Sequence, residues 1–514
     1  MITTATLVLA SLLLATGAQA HEGHHHNANM SFSSDIDTRL WLHVVFMGLA
    51  YGVLFPVGTV LGLVKHRFHV PVQSLGFALV VVGYFLGHYH QGRMYGENAH
   101  VDFSRFVLLT LFIQVGCGVY LKLHLERYMK RDYLRPIIKA VHRYIGLATT
   151  LIAWVQILLG FIALTGFCYA DHFGQCLAHF IMGSSFVWYG VWLLFCLTLA
   201  GPWLRSKGRS PEFYDSAMIL VWGIVNTFTE HRWDEAWNHK DLQHTAMGIL
   251  WWAGGLVGVV MTWRLPATSR SMIPSLVILF TGIAMGSHQQ HTEFSTKFHA
   301  YFGGALCIAA LTRIIELFLL SSSPAAAAID DEPIRYGRGS LKPRHPFQYV
   351  PTFFLVLSGT LFMSAQEESI QNLLDMGVDP ASYGLLIVSV AFFLFLVAYS
   401  LMIMYRALAP ASTDLGYHAV LDSGEDPHFH DPASGTYSSR YAGAAVASTS
   451  SATATGVHSY SGAEAHVQTI FDVLESNSSS FDEEDPRSAV TLREEVEMGA
   501  MGASRSPHGG QLEK

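Results

Sequence analysis

Charge is what this chain has least of. Asp, Glu, Lys and Arg make up 14% of its 514 residues, against 51% apolar ones, so most of it cannot present the surface of a water-soluble domain. No stretch reads as a soluble domain, and no basic excess marks a nucleic-acid partner. Cysteine is also scarce, and five in the whole chain exclude a disulfide-built scaffold. Cys117, Cys196 and Cys307 fall in apolar runs as small buried residues. Cys168 and Cys176 bracket "CYADHFGQC" and are placed to pair in an oxidising space. No Ser or Asp stands inside an apolar run with His partners, which leaves an intramembrane metal hydrolase without its main support.

What is present is apolar length. Runs of about 20 residues cross roughly 30 Å of hydrocarbon, so the fold class is an all-α polytopic membrane bundle. Residues 1–20 end in Ala18-Gln19-Ala20 and read as a cleaved signal peptide. The remaining apolar runs give eleven expected helices, near 41–64, 74–91, 101–121, 141–166, 177–200, 214–230, 244–263, 273–288, 299–320, 347–365 and 384–405. An odd number starting outside puts the C-terminus in the cytosol. The positive-inside rule agrees, since 19 of the 26 Lys and Arg before residue 411 fall on the expected inner side. The expected location is the plasma membrane or an endomembrane of the secretory route, with lipid as the main partner.

The net charge of −8 comes from the end of the chain. Residues 411–514 hold 16 acidic and 5 basic side chains, or −11, which leaves about +3 for the membrane part. Rich in Ser, Ala and Gly, this segment reads as a disordered cytosolic tail that recruits cytosolic partners. Residues 321–346 read as a second flexible inner segment, and Asn29-Met30-Ser31 is a glycosylation sequon.

Histidine carries the chemistry. The chain has 27, and of the 21 before the tail sixteen lie on or near the expected outer side. A single helix-end histidine is most simply a hydrogen-bonding group, so only histidines that share a depth point to a cofactor. His69 and His142 begin the second and fourth helices on the inner side. His43 and His100 begin the first and third on the outer side. Helices that alternate in this way run parallel and can lie diagonally in a four-helix bundle, where two imidazoles suit the two axial positions of a haem iron. His88, His90 and Met47 share the outer depth and stand as alternatives there.

The residues around these histidines resemble the cytochrome b561 family over about residues 41–166. The resemblance lies in His43, Met47 and Pro56-x-Gly58, in His69 with Gln73, in His100 with Gln114 and Gly118, and in "HRYIG" with Gln156 and Gly160. It implies two b-type haems, one held by His43 and His100 and the other by His69 and His142. It also implies electron transfer from a cytosolic donor, ascorbate, to an outer acceptor, a ferric or cupric ion. The sugar-like or catecholamine-like binding domain often joined to that core has no counterpart here.

Residues 177–405 resemble the fungal Ytp family of multi-pass proteins, through "VNTFTEHRWDEAW", "LQHTAMGILWW" and "MGSHQQHTEFSTKFHAYFG". That resemblance brings no activity. In this half Glu230, His231, His244, His288, His291 and His299 gather at the expected outer face, and imidazoles with a carboxylate are ordinary ligands for Zn, Cu or Fe. The simpler alternative is a belt of hydrogen-bonded side chains. The mature start "HEGHHH" (residues 21–40 being the His-rich N-terminus) adds further donors. An outer metal site would make the chain a non-redox transporter or sensor, the reading opposed to electron transfer. Arg313 and Glu316 stand three apart in the ninth helix as a neutralising pair, and Glu367 and Glu368 follow the tenth.

Overall fold

The computed structural model describes residues 36–409 apart from 92, 94, 130–132, 169–172, 232–235, 238, 265–269, 288–289, 291, 322–344 and 376. The expected signal peptide, most of the His-rich N-terminus, the sequon, nearly all of the inner segment 321–346 and the acidic tail therefore lie outside the described residues.

Long helices account for nearly all of what is described, and no β-strand occurs among the described residues. Among the described residues eleven long helices follow one another: α1 Thr38–Leu63, α2 His69–His88, α3 Ala99–Lys122, α4 Leu134–Thr165, α5 Phe173–Thr198, α6 Pro211–Thr229, α7 His239–Thr262, α8 Ile273–Gly286, α9 Glu293–Ser321, α10 Tyr349–Ser364 and α11 Pro380–Leu408. Each expected helix has its counterpart, with shifted ends. α2 opens at His69 itself, and α4 begins at Leu134, two turns before the expected start. Nine are long and apolar enough to span a membrane. α6 is less apolar because its buried face carries Glu212, Asp215, Ser216 and Asn226. α8 has 14 residues, about 21 Å of helix.

Local chemistry sets the ends that matter for the site. Asp37 caps α1 by accepting from Leu40 N–H at 3.0 Å, and its other oxygen accepts from Gln91 N–H at 2.8 Å. The Gln91 bond, with the Leu40 bond, holds this carboxyl below the usual carboxylate range. Asn98 caps α3 through Val101 N–H at 3.1 Å. These two caps fix the turns just before His43 and His100.

The helices form two packing groups. In the first, α1 packs on α2 and α3 packs on α4, and the two pairs meet mainly at mid-bundle, where Ala50–Leu63 reaches α4. A small buried layer of Ala50, Tyr51, Phe55, Val80, Val107, Leu111 and Ala153 fills that middle. In the second group α10 lies between α5, α9 and α11 as the most enclosed span. Backbones touch there through glycine: a Cβ on Gly303 of α9 would lie 2.4 Å from the Gly282 oxygen of α8, and one on Gly359 of α10 would lie 2.4 Å from the Gly183 oxygen of α5. Close backbone approach at small residues is the usual way helices hold together in lipid, where burial of apolar surface gives no drive.

Cys168 and Cys176 form a disulfide. Beside it, Glu368 accepts from the Cys168 N–H at 3.0 Å and Glu367 from the Thr292 N–H at 3.2 Å, so these two acids fasten neighbouring loops rather than facing water alone. Replacing both cysteines by Ser frees a loop of about nine residues and is expected to cost about 2–3 kcal/mol. A thermal unfolding scan of the purified double variant checks this.

Candidate functional site

Each of the four helices α1 to α4 carries one histidine near its start. His43 of α1 faces His100 of α3, with ring centres 6.3 Å apart and planes at 90°. His69 of α2 faces His142 of α4 at 6.2 Å and 87°. His88 instead lies tilted against Tyr84, His90 lies against Tyr95, and Met47 packs on Gly83.

All four rings are oriented in the same way. His43 Nδ1 donates to the Gly83 carbonyl at 2.7 Å, and His69 Nδ1 to that of Gly58 at 2.7 Å. His100 Nδ1 donates to the Gln156 carbonyl and His142 Nδ1 to that of Gln114, each at 3.2 Å. A carbonyl only accepts, so the ring proton sits on Nδ1 and the Nε2 lone pair is left for another partner. Backbone carbonyls in this role are the usual support of a metal-bound imidazole.

Four residues beyond each carbonyl stands a glycine on which the ring rests. A Cβ added at Gly87 or Gly62 would lie 2.5 or 2.8 Å from Nδ1 of His43 or His69. At Gly160 or Gly118 it would lie 3.0 or 3.4 Å from Cε1 of His100 or His142. The pattern is reciprocal within each helix pair: α1 and α2 each seat the other's histidine, and so do α3 and α4.

Helix periodicity explains the seating. Gly87, Gly118 and Gly160 each come 18 residues after the histidine of their own helix, and 18 residues are five full turns, so both groups share a face. In α1 the spacing from His43 to Gly62 is 19 residues, one too many. The surplus is taken up by a π-helical turn at Ala50–Leu54, which adds a residue without turning the second half away. The carbonyl lies 14 residues from the histidine in α2, α3 and α4 and 15 in α1, so the two histidine levels stand about 21 Å apart along the bundle. Gly62, Gly83 and Gly87 escaped the reading of the sequence; the 18-residue interval was the signal.

Residues 152–406 match a family model described as Protein YTP1-like, C-terminal. This half of the chain is thus similar to the YTP1-like family. Residues 23–124 match a model described as a domain of unknown function. Protein YTP1 of Saccharomyces cerevisiae is 44% identical over 259 residues, which span 50% of this chain and 52% of the yeast protein, so the match covers about half of each. An uncharacterized membrane protein of Schizosaccharomyces pombe is 21% identical over 67% of this chain and 89% of its own length. A second uncharacterized membrane protein of S. cerevisiae is 26% identical over 33% of this chain and 28% of its own. No solved structure matches.

In the YTP1-like half the expected outer ligands are spread over separate contacts. His244 Nδ1 lies 3.2 Å from Glu230, and His231 Nδ1 lies 3.1 Å from Asp241 while its ring stacks on Trp237. His299 is deeply buried elsewhere, its Nδ1 donating to the Ser295 carbonyl at 2.8 Å. Its ring neighbour is His179 of α5 at 5.7 Å, a residue with no sequence signal, and Phe362 stacks on His179 at 4.7 Å. His288 and His291 lie outside the described residues. Among the described residues no three of His, Cys, Asp or Glu form a group able to hold a metal.

Arg313 does more than neutralise Glu316. It binds Glu316 at 2.7 Å and, from α6, Glu212 at 2.8 Å, so it joins two helices rather than closing a pair within one.

Proposed function

We propose that α1 to α4 bind two b-type haems, each between two histidines, and carry electrons across the membrane, as the resemblance to cytochrome b561 implies. One observation carries the reading. At both levels two rings with unprotonated Nε2 atoms face each other at 6.2–6.3 Å. A metal–imidazole bond is about 2 Å and a ring centre lies ~1.1 Å behind its nitrogen, so two rings on opposite sides of one ion have centres about 6.2 Å apart. Two imidazoles supply two bonds and leave a plane between them. A tetrahedral Zn would need two further protein donors, and no third His, Cys, Asp or Glu joins either pair among the described residues. A planar ligand with four nitrogens fits that plane, and the apolar helix faces suit a porphyrin.

Haem iron, when bound, supplies a one-electron couple at each level. The chain's own residues set its surroundings. Donation from Nδ1 to a carbonyl makes each Nε2 more basic and fixes the ring. The layer of Tyr51, Phe55, Val80, Val107 and Leu111 keeps water from the space between levels. Lys65 and Arg67 just before His69, with Lys139 and Arg143 beside His142, favour an anionic donor at that end. Ascorbate is the donor by resemblance, and a ferric or cupric species the acceptor at the His43 and His100 end.

The test is a reduced-minus-oxidised absorption spectrum of the purified protein with haem quantified. A b-type spectrum at two haems per chain, reducible by ascorbate, is expected. A colourless protein from cells with verified haem supply would overturn the reading.

A further inference from the structure

The YTP1-like half buries a set of charges that its helices do not balance. Glu212 and Asp215 of α6 and Glu316 of α9 are all nearly inaccessible, at 2%, 2% and 5% exposure. Two guanidiniums serve them. Arg313 binds Glu316 and Glu212, and Arg270, just before α8, lies 3.3 Å from Glu212. Gln348, before α10, donates to Glu316 at 3.2 Å. Asp215 accepts at 3.0 Å from a neutral donor, the indole N–H of Trp192 on α5.

Arg313 and Arg270 favour a charge on Asp215 without pairing with it, and the remaining groups around it are no help. α5 brings Tyr189 and Cys196 near it, and α6 itself brings Glu212 on the preceding turn and Ser216 beside it. α7 presents Gly255 and Gly258 to this face of α6. Among the described residues, three carboxylates against two guanidiniums leave one uncompensated negative charge, which is costly where water is excluded. The carboxyl outside the guanidinium contacts is the one that can shed its charge.

A second observation points to the same ligand. Glu212 Oε2 is buried without a hydrogen-bond donor. Asp215 stands three residues on, on the same helix face, and the O–H of a protonated Asp215 is a donor of the kind that oxygen lacks. A metal cation is a poor alternative, because both guanidiniums already sit on Glu212.

We propose that Asp215 binds a proton at neutral pH, so that the YTP1-like half carries a proton site near the end of the bundle where α6 begins. Arg270 is 31% exposed and links the cluster to water at that end, so the proton exchanges with the aqueous phase there. Any movement that brings Arg313 from Glu316 onto Asp215 releases the proton to that water, and the reverse movement takes one up. The cluster draws its groups from helices α5, α6 and α9 and includes none of the histidine pairs of α1 to α4.

The test is infrared spectroscopy of the full chain in lipid nanodiscs, with and without aspartate labelled with carbon-13 at the side-chain carboxyl. A protonated-carboxyl band is expected at neutral pH that shifts with the label and in heavy water. It should be absent from Asp215→Asn and reduced at neutral pH in Glu316→Gln, which leaves two carboxylates against two guanidiniums and frees Arg313 for Asp215. Trp192→Phe removes the N–H that favours the ionised form, so the band should persist to higher pH than in the wild type. Absence of a label-sensitive band at neutral pH, or its survival in Asp215→Asn, would overturn the assignment. Should Asp215→Asn fail to fold, an unchanged midpoint in Trp192→Phe would do the same.

Discussion

His100→Ala is expected to purify with one haem per chain instead of two, and His43→Ala to match it. His69→Ala and His142→Ala should each lose the other haem, leaving the His43 and His100 level as in the wild type. The two levels are independent because they share no ligand and stand about 21 Å apart along the helices. Each ring is held by a carbonyl from its neighbouring helix, His43 by Gly83 and His100 by Gln156, so removing one imidazole leaves the opposite ring in place. A haem held from one side binds far more weakly and is lost in purification. The combination His43→Ala with His69→Ala should yield a colourless, folded protein. Haem quantification together with circular dichroism checks all five variants, and unchanged haem content in the four single variants would rule out these ligands.

A graded loss is expected from adding one methyl group under each ring. Gly87→Ala places its Cβ 2.5 Å from His43 Nδ1, and Gly62→Ala 2.8 Å from His69 Nδ1. Both rings are pinned by hydrogen bonds of 2.7 Å to carbonyls four residues earlier on the same neighbouring helix. Relieving the clash therefore breaks the bond that orients the ring. Disturbing such a supporting bond typically costs about 10- to 100-fold in metal affinity, and that loss is expected for these two variants. Gly160→Ala, at 3.0 Å from His100, should lose less, and Gly118→Ala, at 3.4 Å from His142, should bind haem nearly as the wild type. Haem titration of the four variants checks the order. Gly118→Ala losing as much as Gly87→Ala would contradict the seating geometry.

The helices and their order were legible in the sequence because apolar length is a strong signal in lipid. The four histidines were legible because each stands near one end of an apolar run, at one of two depths. Their seats were less so: Gly87 looks like an ordinary membrane glycine until the five-turn interval from His69 is noticed, and Gly83 until its place one turn before Gly87 is. The π turn at Ala50–Leu54 has no residue signature, and only the extra residue between His43 and Gly62 betrays it. In the YTP1-like half the interacting groups come from helices far apart in the chain. Glu212 meets Arg313 across 101 residues, and His299 meets His179 of α5. Periodicity within one helix relates neither pair, so Arg313 and Glu316 could be read from sequence while Glu212 and Asp215 could not.

The central claim is that each histidine pair grips one haem iron with its rings crossed. Low-temperature electron paramagnetic resonance of the oxidised, purified protein tests it most directly, because crossed imidazoles leave the iron's d orbitals nearly degenerate. The planes here stand at 90° and 87°, so two low-spin ferric haems per chain with strongly anisotropic signals are expected, one vanishing in His100→Ala and the other in His142→Ala. A high-spin signal, or no haem iron in either variant's parent, would contradict it.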